Sequence, residues 1–102
     1  MNPDKQIFLN LRAKPARLGA LEAAWFLGFN LHDIPILVAA RLMKPLGTPA
    51  PNSPKYFAEC ELETLKKDRD WLSRATKATS NHWKQKNRHN SRITDLAPPD
   101  QL

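Results

Sequence analysis

The stretch LGALEAAWFLGFNLHDIPILVAARLMKPLG, residues 18–47, decides the fold of this chain. Its first part, LGALEAAWFLGF, is dense in Ala and Leu. It predicts a helix of about ten residues that closes on Gly28, where a residue without Cβ can take the left-handed turn that ends a helix. Asn30 is placed to cap a second helix, with Asp33 three positions on to accept from free amides and face the positive end of the helix dipole. That second helix is expected to run to about Leu42. Pro35 falls early in it, and a proline beyond the first turn lacks an amide hydrogen that the helix would use. Either the first turn is irregular or the helix begins nearer Asp33. Ile34, Leu37, Val38, Ala40 and Leu42 are assigned inward, and Ile36 and Ala39 toward the exposed side. Two helices joined by a tight glycine turn make a helix-turn-helix. The second helix is, however, almost wholly apolar.

Toward the N-terminus, Ile7, Leu9 and Leu11 alternate with Phe8, Asn10 and Arg12, a period-two pattern that predicts an edge strand or extended arm over residues 1–17. In the other direction, KPLGTPAPNSPKYF sets Pro45, Pro49, Pro51 and Pro54 around Gly47, which predicts a short hairpin with a proline-stiffened tip. ECELETL follows as a one- to two-turn helix with Leu62 and Leu65 inward. Asp68 or Asp70 then opens a longer helix reaching about Asn87. The chain thus divides into an arm (1–17), a helix-turn-helix with its hairpin (18–66), a basic helix (67–90) and a tail expected to be flexible (91–102).

A chain of 102 residues with 41% hydrophobic content is sized for one modest core. It lacks an apolar run of signal-peptide or membrane-spanning length, so a cytoplasmic protein with no membrane partner is expected. Its single cysteine, Cys60, fits a reducing compartment and is expected to act as a small buried hydrophobe. His32, His82, His89 and Cys60 have no zinc-site spacing, and no metal or cofactor is expected. There is neither a glycine-rich phosphate loop nor a Ser, His and acid constellation in motif context, and an enzyme is not expected. Charge is the more informative quantity. Residues 66–92 carry nine Lys or Arg against two Asp, whereas residues 1–65 carry seven basic against six acidic side chains. A cationic segment of this kind suits an acidic polymer.

The order of elements, together with these residues, resembles the winged helix-turn-helix of the MerR and excisionase families. Their first helix commonly reads Leu, Thr, an aliphatic, two variable residues, Ala-Ala, then Leu-Leu-Gly; here Glu22, Ala23, Ala24, Leu27 and Gly28 stand in register. Asn30 matches the family's turn residue before helix two. RLMKP, residues 41–45, echoes its Gly-Leu-Leu-Pro, and KYFAECELETL matches the wing exit. The resemblance spans residues 18–65. It implies a mainly α fold with a small β-hairpin, in which helix two enters the major groove of duplex DNA. Physically, the small pair Ala23 and Ala24 lets helix two approach helix one closely. Leu21 and Trp25 occupy places that are commonly charged in the family, so a further element is expected to cover them: the arm, the long helix or a second subunit.

Candidate contacts follow. At the start of helix two, Asn30 and His32 face the groove, while Asp33 is read as a cap before a cytosine contact. Around the wing stand Lys44, Thr48, Asn52, Ser53 and Lys55, which can donate to phosphates. On the basic helix, Trp71, Ala75, Ala78 and His82, with Leu72, Thr79 and Trp83 beside them, form an apolar stripe at helical spacing. Arg74, Lys77, Asn81, Lys84 and Arg88 recur on the opposite side without an acid among them. Lys86, Arg88, His89 and Arg92 form a basic extension. The expected function is double-stranded DNA binding, as a small transcriptional regulator or an excisionase-like architectural factor, with homodimerisation through Trp71, Ala75, Ala78 and Trp83 a further expectation. The alternatives are a protein-interaction module that docks a partner on Leu31, Pro35 and Ile36, and structured-RNA binding through the basic helix.

Overall fold

The computed structural model describes residues 3–93, the side chains of 88–93 excepted. The N-terminal segment is a helix, α1 (Pro3–Leu9), rather than a strand or extended arm. The alternating residues are the ones left outside: Ile7, Leu9 and Leu11 are 63%, 43% and 41% exposed, while Phe8 is buried. Phe8 lies against Trp25, with ring centroids 5.8 Å apart, so α1 is the element that covers that tryptophan. Leu21 stays exposed.

A short strand, β1 (Arg17–Gly19), leads directly into α2 (Ala20–Leu27). The Glu22 carboxylate turns back to accept from the Gly19 amide at 2.9 Å, satisfying one of the free donors at the helix start. Gly28 takes φ 87° and its amide donates to the Ala24 carbonyl at 2.8 Å, ending the helix where expected. Ala23 and Ala24 are fully buried against the following helix.

Helix two begins irregularly. Leu31–Asp33 form a 3₁₀ turn, and α3 (Ile34–Ala39) continues from it. The break resolves the proline: Pro35 falls in the first turn of α3, whose amides have no acceptor within the helix. The Asn30 amide donates to Asp33 Oδ2 at 3.1 Å. α3 ends three residues before Leu42, because Arg41 takes the left-handed conformation (φ 62°) and the Leu42 amide turns back to the Leu37 carbonyl at 2.9 Å. Ile34 and Leu37 are buried and Val38 and Leu42 half-buried, but Ala40, assigned inward from the sequence, is exposed. Met43 is buried below the turn.

The small antiparallel sheet joins distant parts of the chain. β2 (Tyr56–Ala58) pairs with β1, with Leu18 opposite Phe57 and both almost completely buried. The short hairpin expected within 44–57 is corrected in its pairing: the small antiparallel sheet is present, but β2 pairs with β1 and not with the start of that segment. Four prolines leave that segment too few amide donors for a ladder, and one backbone bond joins its two ends, from the Leu46 amide to the Tyr56 carbonyl at 2.8 Å. Residues 44–55, called the wing below, lie outside the paired strands and are mostly exposed.

Two helices complete the layer behind the helix-turn-helix. In α4 (Glu59–Lys66), Leu62 is buried and Leu65 half-buried. Cys60 lies on the exposed side of α4, against its expected burial, since the inward positions go to the larger leucines. α5 (Arg69–Ile93) starts where Asp68 Oδ1 accepts from the Trp71 amide at 3.2 Å. Its helix continues through residues 91–93, which were expected in the tail; residues 94–102 lie outside the described residues. Trp71, Ala75 and Thr79 are buried, and the Trp71 indole donates to the Leu42 carbonyl at 2.7 Å. The fold is thus mainly helical with a small two-stranded antiparallel sheet. Among the described residues, no helix is long and apolar enough to cross a membrane.

Candidate nucleic-acid interface

The outward crest of helix two is formed by Leu31, His32, Pro35, Ile36 and Ala39, of which His32, Pro35 and Ala39 are exposed and line both of two shallow grooves. One groove runs between Leu31 and Val38 on the helix and Ser53, Pro54 and Lys55 of the wing, with Trp83 of α5 at its wall. The other lies between Ile36 and Ala40 on the helix and His82 of α5. Helix two, the wing and α5 therefore meet at one surface.

A single side-chain bond fixes that meeting. The Trp83 indole nitrogen donates to Asp33 Oδ1 at 3.0 Å, across fifty positions of sequence. Asp33 is buried, and its other oxygen already holds the Asn30 amide. Both carboxylate oxygens thus have internal partners and are buried, so Asp33 positions the first turn. Beyond Trp83, the Lys86 ammonium lies 5.3 Å from the centroid of its ring. His82 meets the same indole edge-on, at 5.0 Å. The sequence places Trp83 beside the apolar stripe of α5. The long-range partner that decides its role has no local sequence signal.

The remaining candidates spread around this surface. Asn30 is exposed just before the 3₁₀ turn. At the wing tip, the Ser53 amide donates to the Ala50 carbonyl at 3.1 Å, with Pro51 next and Asn52 at φ 65°, the arrangement of a type II turn. The Ser53 hydroxyl also donates to the Ala50 carbonyl, at 2.6 Å, so its proton is engaged within the turn. Thr48 and Asn52 are exposed. Lys44 stands apart, sharing a surface hollow with Arg41 and with Glu61 and Thr64 of α4. Arg74, Lys77 and Lys84 are exposed on the side of α5 opposite buried Trp71, Ala75 and Thr79. The side chains of Arg88 and Arg92 lie outside the described residues. Among the described residues, Lys55, Arg74, Lys77, Lys84 and Lys86 form no ion pair. Such unneutralised ammonium and guanidinium groups can meet phosphates without first breaking internal pairs.

The apolar stripe of α5 is largely covered within the chain: Trp71 and Ala75 are 3% and 0% exposed, and Ala78 and Trp83 half-buried. Leu31 and Pro35 remain exposed and Ile36 half-buried, so the crest offered to any partner is neutral and largely apolar. Among the described residues, no group of three His, Cys, Asp or Glu side chains is placed to hold a metal ion. No family model, curated protein or solved structure matches the chain.

Proposed function

We propose that this protein binds double-stranded DNA in the cytoplasm, as a small transcriptional regulator or an excisionase-like architectural factor. Helix two faces the major groove, and the wing and α5 reach the flanking phosphates. The observation that carries this reading is the Trp83–Asp33 hydrogen bond. It ties the cationic helix to the first turn of helix two, so that Lys55 and Trp83 line one groove and Lys86 lies over the Trp83 ring beside it. A solvated surface helix has no need of that tie. Phosphate contacts position a protein without specifying sequence, and the crest between them adds few hydrogen-bonding groups. Affinity is therefore expected to be mostly electrostatic.

The test is a titration against duplex DNA at several salt concentrations. The logarithm of the binding constant is expected to fall linearly with the logarithm of salt, with a slope near −0.9 for each phosphate neutralised. Absence of binding at low salt overturns the reading. The exposed Leu31 and Pro35 favour a second reading, a protein partner docked on the same crest. Binding to duplex RNA as tightly as to DNA in the same titration would instead assign the surface to RNA.

A further inference from the structure

Resting on the duplex-DNA reading, we propose that the crest of helix two recognises the C5-methyl groups of pyrimidines in the major groove. Its preferred sites would then be thymine-containing steps, and 5-methylcytosine would be accepted by the same contact. The argument begins with what the crest lacks. Asp33 is turned inward, only 7% exposed, with one oxygen on the Asn30 amide and the other on the Trp83 indole, so it does not reach a cytosine amino group. Pro35 has no backbone donor, and the Asp33 amide is bonded to the Asn30 carbonyl at 2.9 Å. Leu31, Pro35, Ile36 and Ala39 present only hydrocarbon, with Leu31 42% exposed. His32 is the polar side chain left on the crest itself.

The occupant follows from the surroundings. Cations stand beside this apolar strip and not upon it: Lys55 on the wing and Lys86 over Trp83. A strip that is neutral at its centre and positive at its margin complements a groove whose rims are phosphates and whose floor carries the bases. On that floor, the one methyl group an unmodified base pair offers is that of thymine; apart from the C5–H of cytosine, the neighbouring edge positions are donors or acceptors. Either pair leaves three polar groups without a partner on the crest, O6, N7 and N4 for G·C and N7, N6 and O4 for A·T, so the methyl is what distinguishes them. Against A·T, the crest also covers a methyl group.

The experiment compares alternating duplexes that differ only in the methyl: d(AT) repeats against d(AU) repeats, and d(GC) repeats against the same duplex with 5-methylcytosine. Each is titrated at one low salt concentration. Loss of the thymine methyl is expected to weaken binding about fourfold for each methyl contacted, and the added cytosine methyl to strengthen it by a similar factor. Leu31→Ala, at an exposed position, should bring both ratios toward one while circular dichroism stays unchanged. Equal affinities within each pair, with binding retained, overturn methyl recognition and leave the DNA reading standing; equal affinities are also what a crest reserved for a protein partner gives. Failure of all four duplexes to bind removes the DNA reading, and methyl recognition with it.

Discussion

Arg41 and Gly28 occupy the same backbone region for the same reason, since each terminates a helix by turning the chain left-handed, at φ 62° and φ 87°. Glycine does this at no steric cost, whereas an L side chain gives up roughly 1 kcal/mol there. The two positions therefore have opposite predicted responses. Arg41→Gly should stabilise the fold by about 1 kcal/mol and raise its urea midpoint, even though no packing contact is added. Gly28→Ala should destabilise it by about the same amount. A Cβ at Gly28 meets no atom within 4 Å, so the loss is purely conformational. Urea unfolding of both variants measures this directly, and equal shifts of one sign would refute it. Arg41 takes this conformation where the sequence predicts helix, so the second helix ends there instead of running to Leu42.

Between elements, the tie from Trp83 to Asp33 is the contact most open to a clean substitution. Trp83→Phe keeps a ring against the groove wall but removes the indole donor, leaving a carboxylate oxygen of buried Asp33 without its partner. A hydrogen bond to a charged group contributes about 2 kcal/mol. Unfolding free energy should fall by that amount, and DNA affinity should fall further than stability alone explains, because α5 is no longer fixed to helix two. Unchanged stability would show that the bond does not hold in solution. The elements themselves were unequally legible. Ala23, Ala24 and Gly28 announce α2 and its end, because small residues and a missing Cβ are local requirements. The N-terminal segment misleads, since in a run of seven helical residues the alternation of Ile7, Leu9 and Leu11 is a chance of composition. Phe8, the residue that buries, is chosen by Trp25, seventeen positions away. The wing misleads in a related way: Tyr56–Ala58 reads as a strand, but its partner is Arg17–Gly19, which no local pattern joins to it. The site follows the same division. His32 and the wing lysines are visible as residue types, whereas Asp33 Oδ1 is occupied by a partner fifty residues distant.

On the scale of the whole molecule, the question is which part of the +6 net charge acts at the interface. The positive charge is concentrated on and beside α5, yet the helix presents it in two directions. Arg74, Lys77 and Lys84 are exposed opposite the buried stripe, while Lys86 sits over Trp83 at the edge of the surface shared with helix two and the wing. If one duplex lies across that surface, cations on the two sides of α5 are unequal. Lys86→Glu should weaken binding to all duplex sequences about equally and reduce the salt slope by about one, as expected when a phosphate contact is lost. The double variant Lys77→Glu with Lys84→Glu changes the net charge by twice as much. It should nevertheless leave the slope within about half a unit, because exposed charges beyond a Debye length of roughly 10 Å are screened at moderate salt. Isotherms for the three proteins at four salt concentrations separate these outcomes. A larger loss of slope in the double variant would place the duplex along the outer side of α5 and leave helix two without a nucleic-acid role. The reverse order would locate the phosphates at the rim of the groove that Trp83 helps to form.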